Sequence, residues 1–294
     1  MKGRRKYGSP AYNRGAAAAA TALSGIVFHP FDTIKVRIQM GQGPNFHLIT
    51  NMLRNGGIAS FYKGLSAGLL SQVTSSAVCS YSLKYVMVGS YIADGGNLIN
   101  PYYRQLFCSL TGSAIGAVVC NPAELAMTRM QGDASLPSAL RRNYKNLLQA
   151  LYQTASKEGI QALWNGSGPS ALRTMSLTIG LRASSESFNI FRRYTNDFKI
   201  NLLVGILIYG IVPPACSSPF DYVKTQMQMM QPDATGRYPY AGPLDCAMKT
   251  LKFGGPLKFY TGFVVQCFKF FPQSLLIVML YDRVFKGVNV SFRV

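Results

Sequence analysis

Three short stretches of the chain carry charges in the same order: "HPFDTIKVRIQ" from His29 to Gln39, "NPAELAMTRMQ" from Asn121 to Gln131, and "SPFDYVKTQMQ" from Ser218 to Gln228. In a helix, the residues at 0, +3 and +7 from an acid share one face. Those residues are Asp32, Lys35 and Gln39 in the first stretch, Glu124, Met127 and Gln131 in the second, and Asp221, Lys224 and Gln228 in the third. Ion pairing is the chemistry open to such faces. Carboxylates and ammonium groups gathered from three helices would form a ring of alternating charge, able to close a watery passage as a gate. Met127 interrupts that alternation. A single copy would be an ordinary helix-end charge pair, whereas three copies in register call for a frame that turns them toward one axis.

The frame is a repeat. Pro30, Pro122 and Pro219, which open the three motifs, stand 92 and 97 residues apart. Small and apolar residues precede each proline: Ala16–Ala20 through Phe28, Leu106 to Cys120, and Leu202 to Ala215. A proline inside such a helix removes one backbone bond and bends the helix, here toward the shared axis. A second signal closes each copy: "GIASFYKG" (Gly57 to Gly64), "GIQALWNG" (Gly159 to Gly166) and "GPLKFYTG" (Gly255 to Gly262). Further apolar stretches follow, from Leu65 to Tyr91, Ser170 to Phe191 and Phe263 to Phe285. The expectation is an all-α membrane protein of six spans. They fall into three pseudo-symmetric repeats, 1–98, 99–195 and 196–294, each with a short amphipathic surface helix. A soluble helical repeat protein would need polar faces that "LLVGILIYGIVPPA" and "SLLIVML" lack.

Composition fits helices that show one face to lipid and another to water. The 294 residues are 48% hydrophobic and only 14% charged, and the net charge of +19 calls for an anionic partner, whether nucleic acid, anionic lipid or an acidic solute. Cys79, Cys108, Cys120, Cys216, Cys246 and Cys267 form no CxxC pair, and the histidines are His29 and His47. Neither a metal site nor a disulfide framework is expected. The basic start MKGRRKY leads into no short apolar segment with a small-residue cleavage site, so a secretory signal is not expected either.

The triplicated motif, read as P-x-[DE]-x-x-[KR]-x-[KR]-x-Q with its closing glycine segment, resembles the mitochondrial carrier family over nearly the whole chain. The resemblance implies a multi-pass protein of the mitochondrial inner membrane that moves a small anionic metabolite by alternating access through salt-bridge gates. Its pairing rule joins each acid to the base of the next repeat, which implies Asp221 with Lys35 and Glu124 with Lys224. The third pair would be Asp32 with Met127, and methionine supplies no charge. Arg129, two residues beyond Met127 and on another side of the helix, is expected to meet lipid headgroups or to serve packing.

The family's cargo contacts lie midway along the even helices. Seven residues after Gly64, Gly166 and Gly262 stand Ser71, Arg173 and Lys269, with Thr174 beside Arg173. An arginine grips a carboxylate with two donors and a lysine adds a compact charge, so the pair suits a dicarboxylate or keto acid. "RRNYKNLLQAL" and "ALWNGSGPSALR" add a resemblance to the oxoglutarate and dicarboxylate branch, although that branch carries arginines where Ser71 and Cys79 stand here. The even-helix gate motifs are incomplete, keeping acids at Glu186 and Asp282. Cardiolipin is implied as a bound lipid at Gly57, Tyr62, Lys63, Gly64, Gly159, Gly166, Gly255 and Gly262, through backbone N–H groups at helix starts.

No phosphate loop, histidine triad or separate paired-carboxylate site suggests an enzyme or a cofactor. A nucleic-acid binder would gather its basic residues on a soluble face, so no nucleic-acid partner is expected. The alternative is a carrier-fold protein that no longer transports and serves as a subunit or assembly factor of a larger inner-membrane complex. Met127, Gln226, Asn165, Thr261, Gly56 and Gly254, which replace charges the family prefers, leave room for it.

Overall fold

A computed structural model describes residues 10–41, 57–93, 101–133, 146–195, 197–231 and 238–272, with 49–50, 52–54, 136, 141–142 and 144 between them. The described part is helical, with no strand among those residues. Five long helices carry it: α1 Pro10–Gln39, α2 Leu65–Ala93, α3 Pro101–Gly132, α5 Ser167–Tyr194 and α6 Phe198–Met229. Amphipathic helices α4, Leu147–Glu158, and α7, Pro243–Gly254, lie between them, and α8 begins at 263 and is described to 272. At 28 to 32 residues each, the long helices reach about 42–48 Å, more than the apolar thickness of a bilayer.

Neighbours in sequence are neighbours in space: α2 packs along α3, α5 along α6, α3 against α5, and α1 against both α2 and α6. Pro30, Pro122 and Pro219 lie inside α1, α3 and α6, which continue through them. Two described segments, Tyr102–Gly132 and Lys199–Met229, are long and apolar enough to cross a membrane by composition alone. Helix α5 is more polar, with Arg173, Arg182, Glu186, Arg192 and Arg193 along it. Large apolar side chains still cover the outside, among them Phe107, Val119, Ile190 and Leu203, each more than half exposed. The gate acid Glu186 falls within α5, whereas Asp282 and the side chain of Cys79 lie outside the described set.

Each repeat closes through a one-turn 3-10 helix, at Ile58–Tyr62, Ile160–Trp164 and Pro256–Tyr260, set between two glycines of positive φ. The amphipathic helices bury a short stripe, Ala150 and Thr154 in α4 and Cys246 and Thr250 in α7. Their opposite faces leave Leu148, Tyr152, Leu244 and Phe253 more than three-quarters exposed. Apolar residues so exposed suit a helix lying at a lipid surface.

Candidate functional site

The three motifs meet where α1, α3 and α6 end, and each helical phase of the motif has its own destination. Residues at +2 and +6 from the acid turn toward the surface helices. Ile34 and Ile38 pack with Met52 and Phe61, Ala126 and Met130 with Ala150, and Val223 and Met227 with Cys246. Residues at 0 and +3 turn toward the axis. Lys35 Nζ lies 2.5 Å from Asp221 Oδ2, and Lys224 Nζ 2.6 Å from Glu124 Oε2. Both pairs sit in largely buried surroundings, with side-chain exposures of 11% and 7% for the first and 9% and 17% for the second.

The glutamines at +7 divide. Gln39 donates to Asp221 Oδ2 at 3.0 Å and so supports the first pair from below. Gln228 instead donates to Asn121 Oδ1 at 3.3 Å and accepts from Thr128 at 2.9 Å, while Gln131 approaches the His29 ring at 3.4 Å. Below Met127 there is no pair for Gln131 to support. Its side-chain amide faces the buried imidazole instead, whose Nδ1 meets Phe61 O at 3.0 Å.

A second ring runs behind the charges. Arg37 Nε donates to Gln131 O at 3.2 Å, Arg129 Nε to Gln228 O at 3.0 Å, and Gln226 Nε2 to Gln39 O at 2.8 Å. Each donor stands at +5, and each acceptor is the backbone of the next repeat's +7 glutamine, so the three bonds form a closed cycle through α1, α3 and α6. Of the two roles expected of Arg129, headgroup contact is overturned and an internal packing role stands. It is 1% exposed and also grips both oxygens of Glu158, at 2.8 and 2.7 Å, and Thr154 at 3.1 Å. Sequence phase placed Arg129 away from the axis, but the neighbouring repeat covers that side too. Gln226, an uncharged replacement, does with an amide what the two arginines do with guanidinium groups.

Above the ring opens a cavity of about 170 Å³ lined by Asp32, Lys35, Ser71, Glu124, Met127, Arg173, Asp221, Lys224 and Lys269 among others. It brings together Ser71, Arg173 and Lys269, the three positions counted from the closing glycines. Thr174 does not join them: its hydroxyl donates to Ala171 O at 2.9 Å and Ser113 O at 3.3 Å, toward the α3 backbone. The next position along a helix turns about 100°, which takes Thr174 out of the lining that Arg173 occupies. Both cavity cations are held by acids of the odd helices, which the sequence did not show. Arg173 Nε binds Asp221 Oδ1 at 2.5 Å, and Lys269 Nζ binds both Asp32 oxygens, at 2.7 and 2.9 Å.

The closing glycines are where the repeats touch. A methyl group on Gly64 would stand 3.2 Å from Met127 O, on Gly166 3.0 Å from Gln228 Cγ, and on Gly262 3.3 Å from Lys35 Cγ. Gly57 and Gly255 give their own N–H groups to Leu53 O and Leu251 O at 3.1 Å. The amides of these two glycines are therefore engaged within their own turns. Gly166→Ala combines a positive φ of 82° with that contact. It is expected to lower the melting temperature by about 4–8 °C. Gly159→Ala, at φ 88° facing open space, is expected to lower it less. A larger drop for Gly159→Ala in the same thermal-unfolding assay would show that the repeats do not rely on this contact.

A repeated helical bundle with a charged cavity, sealed at one end by ion pairs between repeats, defines a membrane carrier. The mitochondrial carrier protein family matches residues 8–89, 100–191 and 196–290, and the chain belongs to it. It is 46% identical to the mitochondrial dicarboxylate/tricarboxylate transporter of Arabidopsis thaliana over 91% of this chain and 90% of that one. It is 32% identical to a probable mitochondrial 2-oxoglutarate/malate carrier protein of Dictyostelium discoideum, over 90% and 86%. The mitochondrial 2-oxoglutarate/malate carrier protein of Mus musculus is 31% identical, over 91% and 88%.

Proposed function

We propose that the protein crosses the mitochondrial inner membrane six times and carries a small anion with two acidic groups, a dicarboxylate or keto acid, by alternating access. The observation that carries this reading is the placement of Arg173 and Lys269, from two different repeats, in the lining of one cavity that ends on two ion pairs between repeats. A guanidinium and an ammonium facing one space neutralise two carboxylates, and Ser71 adds a hydroxyl on the third side. The names of the relatives, dicarboxylate/tricarboxylate and 2-oxoglutarate/malate carriers, support the same class of cargo. The two gate pairs that are formed, together with the cavity cations above them, favour transport over a purely structural subunit.

In this reading Asp32, Lys35, Gln39, Glu124, Asp221 and Lys224 form the gate. The turns at Gly57–Gly64, Gly159–Gly166 and Gly255–Gly262, with exposed Tyr62 and Lys63, hold cardiolipin phosphates beside the exposed apolar faces of α4 and α7. The chain acts as a carrier and not as an enzyme. Purified protein in liposomes is expected to take up succinate or 2-oxoglutarate, to be stabilised by the same anions on heating, and to leave a neutral amino acid outside. Failure of every dianion in both assays, with folded protein, would overturn the proposal.

A further inference from the structure

Asp32 is the acid whose partner the motif fails to supply. Position 127, where the base of the next repeat would stand, is Met127, an apolar lining residue of the cavity. An uncompensated carboxylate in a partly desolvated cavity is costly. The structure meets that demand from elsewhere: Lys269 reaches across from α8 of the third repeat to α1 of the first, and its ammonium touches both carboxylate oxygens. Phe31, Val265 and Phe270 wall the small pocket around this pair.

Lys269 is also one of the two cations that face the cavity. Its side chain is 22% exposed and that of Asp32 18%, against 11% and 7% for Lys35 and Asp221. Of these two pairs, a solute entering the cavity therefore has better access to Asp32–Lys269. Asp221 is held by Lys35 and Gln39 as well as by Arg173. Among the described residues Asp32 has only Lys269 in direct ion-pair contact, and the nearby Lys35 and Arg173 are both engaged with Asp221.

We infer that Lys269 stands in for the missing base at position 127, clasping Asp32 in the closed state, and that a dianion opens this clasp by taking Lys269 for itself. The inference rests on the reading of the cavity as an anion site. It gives the bound anion a differential effect on two states, since only the closed state loses an ion pair when the anion arrives. A solute with a single carboxylate, satisfied by Arg173, would leave the clasp shut.

The test is a thermal double-mutant cycle on the full chain in detergent, without added anion. Lys269→Gln and Asp32→Asn are each expected to lower the melting temperature by about 3–6 °C, and the double variant by no more than the worse single one. Additive losses would overturn the inference. Met127→Lys in the Lys269→Gln background is expected to restore the melting temperature, because it returns a base to Asp32, while succinate uptake into liposomes stays lost. If Lys269→Gln does not fold alone, this double variant carries the test: recovery of a folded protein supports the clasp, and no recovery overturns it. The two readings fail separately. A non-additive cycle in a protein that takes up no dianion sinks the carrier proposal and the opening step while keeping Lys269 as the stand-in base, and uptake with an additive cycle overturns the clasp alone.

Discussion

Replacing Asp221 by asparagine is expected to lower the melting temperature of the detergent-purified protein by about 10 °C, more than any other single change in the ring. Asp221 is the hub of the gate: Lys35 and Gln39 share one carboxylate oxygen, and Arg173 binds the other. The side chain is 7% exposed, so water does not replace what the substitution removes. Asparagine keeps the shape and a hydrogen-bond acceptor but leaves two cations, one of them nearly buried, facing each other without the charge between them. Removing one partner of a buried pair commonly costs about 3–5 kcal/mol for this reason.

Glu124→Gln provides the comparison. Glu124 has one ammonium partner, Lys224, and a weaker bond from Ser170 at 3.3 Å, so its loss strands one cation rather than two. Its shift is expected to be about half as large, measured by thermal unfolding under the same conditions. Equal shifts from the two variants would show that the ring has no hub and that its pairs act independently.

The motif made the ring legible because identical spacing in three copies fixes helical phase without any structure. Asp221 with Lys35 and Glu124 with Lys224 follow from that phase and a rule about which repeat comes next, and both pairs are present. The cycle of +5 donors was hidden for a physical reason. Its acceptors are backbone carbonyls, which every residue owns, so no side-chain pattern marks Gln131 O or Gln228 O as a partner for Arg37 or Arg129. Gln226 looked like a lost charge for the same reason, since an amide and a guanidinium satisfy a carbonyl equally well.

The Asp32–Lys269 contact was also beyond the sequence. It joins residues 237 positions apart that belong to different signals, one an odd-helix motif and the other an offset from a glycine. Of the four expected cargo contacts, Ser71, Arg173 and Lys269 line the cavity and Thr174 does not. Counting from the closing glycines works for Ser71, Arg173 and Lys269 because Gly64, Gly166 and Gly262 make equivalent contacts with the next repeat and so set a common depth. Extending the count by one to Thr174 fails, because a one-residue step changes the face.

The remaining large effect concerns cargo. Arg173→Ala is expected to reduce uptake of succinate or 2-oxoglutarate by about thirtyfold or more at low anion concentration, since losing a charged partner of a desolvated carboxylate costs roughly 2–5 kcal/mol. Arg173 holds Asp221 through Nε, and a guanidinium carries five donors in a fixed fork, so the rest of the group can grip a carboxylate in the cavity while the hub is still held. Lysine keeps the charge but not the fork. Arg173→Lys is therefore expected to restore thermal stability, which needs only a cation beside Asp221, more fully than it restores uptake, which needs a bidentate grip. The readouts are initial uptake rates across a range of anion concentrations, and melting temperatures with and without the anion. Recovery of both properties to the same degree would mean that Arg173 acts only as a charge in the gate, and that the carboxylates of the cargo are held by other groups.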